Sequence, residues 1–82
     1  CDVDPVRAAP LAQRLGAIAV ADAHELIGRV DAVSIATPAD RHGAVAIPLL
    51  EAGVACLVEK PLAENLRAAE AIVAAASRGR AL

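Results

Sequence analysis

Three places along the chain carry residue types that can do chemistry. Val58-Glu59-Lys60-Pro61 sets an acid, the chain's only lysine and a proline at the end of an apolar run. Lys60 can hydrogen-bond a sugar hydroxyl or a carboxylate, or help move a hydroxyl proton, although an ordinary lysine titrates near ~10.4 and needs tuning to act as a base. Glu59 precedes it, and neighbours on an extended chain point to opposite faces, so the two need not pair with each other. Thr37-Pro38-Ala39-Asp40-Arg41-His42 offers free backbone N–H groups, a flat apolar surface and an imidazole suited to proton transfer. Asp2 stands just before the first helical segment, where it has no capping work to do. Each also has a plainer reading. Glu59 and Lys60 fit a strand end turning into solvent, Asp40 and Arg41 a solubilised helix start, His42 a packing or hydrogen-bonding residue, and Asp2 an exposed terminus.

The elements that must hold these residues follow from punctuation and periodicity. Asp4-Pro5 reads as an N-cap followed by proline at the first helical position, opening a helix to about Leu15 that Gly16 stops. Val6, Leu11 and Leu15 are expected to face a core, and Pro10 to bend that helix or shorten its regular part. Residues 17–21 form a short strand candidate. Asp22 with Glu25 reads as a capping box for a brief helix ending near Gly28. Asp31 to Thr37, with Val33 and Ile35, reads as a strand covered on both faces and stopped by Pro38. A helix is expected over 40–52, with Val45, Leu49 and Ala52 on one face and a kink at Pro48. Val54 to Val58 is the next strand. Asn65 caps a last helix in which Leu66, Ala69, Ile72, Val73 and Ala76 repeat at helical spacing, ending at Gly79.

This alternation predicts an α/β fold with a parallel, doubly wound sheet joined by right-handed crossovers. Ligands in such folds lie at the carboxyl ends of strands, where both the Thr37-Pro38 and Glu59-Lys60-Pro61 stretches fall. An acid at the tip of a strand, such as Asp2, would there hydrogen-bond an adenosine ribose.

Composition excludes other classes. With 82 residues, 57% hydrophobic but without Phe, Tyr, Trp or Met, the core must be a light one of Ala, Val, Leu and Ile. Eight basic and ten acidic residues leave a net charge of −2 without blocks, which with the missing aromatics argues against nucleic acid as a partner. No apolar run reaches the ~20 residues of a membrane span. Cys1 and Cys56 lack metal-ligand spacing and read as thiols of a reducing, cytoplasmic compartment, and no metal site is expected. Ser34 lacks a nucleophile elbow, and neither a Walker loop nor a glycine fingerprint is present.

The patterns DAVSIATPADRH and AIPLLEAGVACLVEKPLAEN, above all the Glu-Lys-Pro segment ending an apolar strand, resemble the nucleotide-binding domain of the glucose-fructose oxidoreductase, inositol dehydrogenase and rhizopine-catabolism (Gfo/Idh/MocA) oxidoreductases. The resemblance runs from CDVDPVRAAPLAQRLG onward. It implies a partial Rossmann fold, lacking the first strand and the Gly-rich turn, over residues 1–82. It also implies NAD or NADP as cofactor, hydride exchange with a hydroxyl-bearing carbon of a sugar, sugar derivative or inositol-like substrate, and a homo-oligomer formed through a carboxy-terminal domain that the chain lacks.

By the same resemblance Asp2 contacts the adenosine ribose and favours NAD, with Arg7 a complication. Thr37, Pro38 and His42 run along the cofactor, Glu59 faces the nicotinamide ribose, and Lys60 approaches the reacting carbon, joined to Pro61 by a cis bond. Lys60 is the catalytic candidate; the cofactor-binding candidates are Asp2, Thr37, Pro38, His42, Glu59, Lys60 and Pro61. The expectation is an interior excerpt of a two-domain enzyme, stopping at Ala81-Leu82 about where another strand would begin. By itself it should be poorly stable, inactive and weak in binding NAD. A dinucleotide-sensing protein without turnover and a truncated, inactive relative are the alternatives.

Overall fold

The computed structural model describes residues 1–79. Helix α1 spans Pro5–Leu15, strand β1 Ala32–Ile35, helix α2 His42–Glu51, strand β2 Ala55–Val58 and helix α3 Leu66–Arg78, with 3-10 turns at Ala23–Leu26 and Ala39–Arg41. The expected strand beyond Ala81-Leu82 lies outside the described residues.

The local signals work as the residues dictate. The Asp4 carboxylate accepts from the Val6 amide at 2.9 Å to start α1, and Gly16, at φ 66°, ends it. The helix runs through Pro10 without a break. Asp22 and Glu25 form both halves of their capping box, and the Asn65 side chain caps α3 through the Ala68 amide at 2.8 Å. Hydrogen bonding holds the exposed Asp22 carboxyl below its ordinary range, first through the His24 amide and then through the His24 ring.

At the end of α2 the chain turns through Gly53 at φ 87°. The Gly53 amide bonds the Leu50 carbonyl and the Val54 amide bonds that of Leu49, while Leu49 and Val54 are both buried. This Schellman arrangement delivers the chain straight into β2.

Strands β1 and β2 are parallel neighbours in register, Ala32 opposite Ala55 and Ile35 opposite Val58. Both are shorter than the sequence pattern predicts, because pairing ends where each chain departs toward its loop. One face of the sheet, with Ile35, Val54 and Cys56, packs under α2, and α3 lies against α2. Leu49, Leu50, Ile72, Ala46 and Ala75 complete this core. The opposite face is open, with Ser34 exposed and Leu57 71% exposed, so the expected cover on both faces is absent among the described residues.

Four further expectations are corrected. Residues 17–21 form no strand; a single bond from the Asp2 amide to the Val20 carbonyl, 3.2 Å, ties this segment to the amino end. A ladder needs a second partner along its length, and none of the described residues provides one. Val6, Leu11 and Leu15 are exposed, because α1 packs against no other helix or strand among the described residues. The face that α2 buries is His42, Ala46, Leu49 and Leu50, whereas Val45 is half-buried and Ala52 exposed. In α3, Ile72 and Ala75 are buried while Leu66 and Val73 face outward.

Candidate active site

Parallel register sets the geometry of the candidate site. Ile35 and Val58 close the ladder opposite each other, and the Glu59 amide extends it by one bond to the Ile35 carbonyl at 3.0 Å. The stretches Ala36-Thr37-Pro38 and Glu59-Lys60-Pro61 therefore leave the sheet side by side, at its carboxyl edge.

Glu59, Lys60 and Pro61 are all exposed, and Lys60-Pro61 is a cis peptide. Neither Glu59 nor Lys60 makes an ion pair or side-chain hydrogen bond among the described residues, where the ion pairs are Arg7–Asp4, His24–Asp22 and Arg78–Glu51. Their charged ends are free to meet a ligand. Pro38, with φ −57° and ψ 149°, carries the β1 loop out in an extended conformation before the Ala39–Arg41 turn. The Thr37 hydroxyl reaches only the Pro38 carbonyl, at a long 3.4 Å.

Asp2 sits across a groove of about 690 Å3 from the β1 exit; Asp2 and Thr37 both line it, with Val3, Ala36 and Val45. One Asp2 carboxylate oxygen accepts from the Asp4 amide at 2.9 Å, which fixes the side chain and leaves its second oxygen without a partner among the described residues. Arg7, 3.7 Å from the Asp4 carboxylate, is drawn toward Asp4.

His42 is placed differently from the others. Its side chain is 1% exposed, Nδ1 lies 3.0 Å from the Leu62 carbonyl oxygen and Nε2 lies 2.9 Å from that of Thr37. No ring nitrogen is left for a ligand. Leu62 was absent from the residues singled out by sequence, since a backbone carbonyl carries no side-chain signature and lies 20 residues from its partner.

The structure thus groups Thr37, Pro38, Glu59, Lys60 and Pro61 at one edge, places Asp2 across the groove, and sets His42 beneath the two loops. Over residues 1–81 the sequence matches the Gfo/Idh/MocA oxidoreductase family, with its NAD-binding Rossmann fold. The chain belongs to this family. It is 42% identical over 72 residues to a UDP-N-acetylglucosamine 3-dehydrogenase of Acidithiobacillus ferrooxidans, a match covering 88% of the chain and 23% of that enzyme. Identity to an inositol 2-dehydrogenase of Rubrobacter xylanophilus is 40% over 76 residues, covering 90% of the chain and 22% of that enzyme. The WlbA dehydrogenase of Bordetella pertussis, solved with NADH and UDP-GlcNAcA, superposes with a TM-score of 0.87 at 26% identity, over 94% of the chain and 24% of that structure. The chain spans about a quarter of the length of these Gfo/Idh/MocA relatives. Among the described residues of this family member, no helix is long and apolar enough to cross a membrane.

Proposed function

We propose that the chain is the dinucleotide-binding part of an NAD(P)-dependent oxidoreductase acting on a hydroxyl-bearing carbon of a sugar, sugar derivative or inositol-like substrate. The observation that carries this reading is Lys60, exposed and unpaired beside Glu59, on a loop level with Thr37-Pro38. The relatives' names support the substrate class, since a nucleotide sugar and an inositol both present ring hydroxyls on secondary carbons.

The donor set fits a dinucleotide. The free Asp2 oxygen is suited to accept from an adenosine ribose hydroxyl, and its charge opposes a 2′-phosphate, which supports NAD over NADP. The pull of Asp4 on Arg7 supports the same preference. Thr37 and Pro38 present an extended edge along which a cofactor would lie, and Glu59 would border the nicotinamide ribose. A nicotinamide dinucleotide supplies the hydride acceptor. In the oxidative direction Lys60 orients the substrate hydroxyl and, in its neutral form, takes the oxygen-bound proton on Nζ as the carbonyl forms; in reduction it returns that proton.

The test is Lys60→Met in the intact protein encoded at this locus, assayed with NAD and a panel of nucleotide sugars and inositols. General acid–base loss is expected to lower kcat by about 10²- to 10⁴-fold while NADH affinity holds within a few-fold. Undiminished kcat in the variant removes Lys60 from the chemistry. Tight NADH binding without turnover of any hydroxylated substrate by the wild type would establish a sensing protein instead.

A further inference from the structure

Among the described residues His42 is the one polar side chain fully buried, in an otherwise apolar core of Leu49, Leu50, Ile72 and Ala46. A buried imidazole must find hydrogen-bond partners. Here both partners are backbone carbonyls, and each belongs to one of the two site loops. Through Nε2 the ring meets Thr37, next to Pro38; through Nδ1 it meets Leu62, just beyond Pro61.

The consequence for Lys60 lies in where its loop is anchored. At one end the Glu59 amide is held by the Ile35 carbonyl at 3.0 Å; at the other the Leu62 carbonyl is held by the ring. Lys60 and Pro61 are the residues between these two anchors. We infer that His42 is the positioning residue of Lys60, a buried bridge that fixes the Thr37-Pro38 and Lys60-Pro61 loops relative to each other. The inference rests on Lys60 being the proton carrier. Because a neutral imidazole has one N–H, the ring donates to both carbonyls only when both nitrogens are protonated. No carboxylate forms an ion pair with it among the described residues, and the charged residues of the two loop segments, Asp40, Arg41, Glu59, Lys60 and Glu64, are exposed.

The experiment compares wild type, His42→Leu and His42→Gln in the intact protein, after thermal melts confirm folding. Leucine fills most of the space but donates nothing, whereas glutamine keeps an amide donor. A loop displaced by about 1 Å is expected to lower kcat up to about a hundredfold in His42→Leu, with NADH affinity within about threefold and partial recovery in His42→Gln. Amide exchange at Glu59 and Arg41, whose N–H groups are held by the Ile35 and Pro38 carbonyls at the bases of the two loops, is expected to quicken at least tenfold in the leucine variant.

Unchanged exchange at those amides would overturn the bridge, and faster exchange with unchanged kcat would overturn its role in positioning Lys60. If neither variant folds, the wild type decides by NMR. Two slowly exchanging ring N–H protons, one with cross-relaxation to Leu62 or Ala63 protons and the other to Thr37 or Pro38 protons, uphold the bridge, and the absence of either overturns it. An active Lys60→Met protein would instead locate the failure in the assignment of Lys60, with the exchange result still reporting on the bridge.

Discussion

Two glycines give opposite expectations for the same substitution. A Cβ built on Gly79 would stand 1.8 Å from the Leu50 carbonyl oxygen and 2.8 Å from its carbon, and both are backbone atoms. No rotamer change relieves such a contact. Reaching the 3.0 Å that real Cβ atoms keep requires the end of α3 to withdraw from α2 by 1.2 Å. That movement strains the bond from the Gly79 amide to the Ala75 carbonyl, 3.0 Å, and the Arg78–Glu51 ion pair, 2.8 Å. It also loosens Ala75 and Ile72, both fully buried. The steric cost of Gly79→Ala is about 1–3 kcal/mol, toward the lower end because the site lies at a helix terminus. At Gly43, inside α2, the nearest atom to an added Cβ is Ile47 Cδ1 at 3.8 Å, an ordinary contact. Gly43→Ala should therefore stabilise by about 0.5–1 kcal/mol through lower unfolded-state entropy. Urea titrations followed by far-ultraviolet circular dichroism, run in parallel with the wild type, read both shifts. Gly79→Ala within 0.5 kcal/mol of wild type, on the scale where surface substitutions fall, would refute the close approach of α3 to α2. A destabilised Gly43→Ala would refute the free space above Ile47.

The two thiols should differ in reactivity and in pH response. Cys1 is exposed and Cys56 is 2% exposed, so a disulfide reagent should modify one thiol at once and the second only on unfolding; two equally fast thiols would contradict the packing of β2. Burial raises the Cys56 thiol above its ordinary value, so the native state holds that proton longer than the unfolded chain does. Its contribution is complete below the ordinary value of 9.0 and is lost as pH rises from there through the raised one, which unfolding titrations of wild type against Cys56→Ala would detect as a difference in alkaline slope. The 82-residue chain alone should bind NAD weakly or not at all, since Asp2 and the sheet edge are joined across an open groove; micromolar affinity by titration calorimetry would show that these residues suffice.

What the sequence revealed and what it withheld divide by distance along the chain. Asp4, Gly16, the Asp22–Glu25 box and Asn65 are legible because each acts on an amide within four residues, and those choices are made locally. The outward face of α1 and the unpaired 17–21 segment are not legible in the sequence, because amphipathic spacing states which face would be buried, not whether anything covers it. In the same way the sequence marked His42 as a residue with chemistry, but its task depends on the carbonyl of Leu62, brought under it only when β2 pairs with β1.

The site itself lies between these cases, because one of its geometric conditions is written in the chain and needs only the register to be read. Pro38 stands three residues past Ile35, and Pro61 three past Val58. Since Ile35 and Val58 are opposite each other in a parallel ladder, equal offsets bring Thr37 and Lys60, then the two prolines, out of the sheet at matching steps. A slip of one residue would set Lys60 level with Pro38 or Ala36 and turn every side chain of β2 to the other face, putting Leu57 in the core and Cys56 outside. The burial of Cys56 and the exposure of Leu57 therefore guard the level of Lys60. An apolar preference in the strand, of no chemical consequence by itself, sets where the lysine emerges, and the ring of His42 then needs to correct only the path between the two exits.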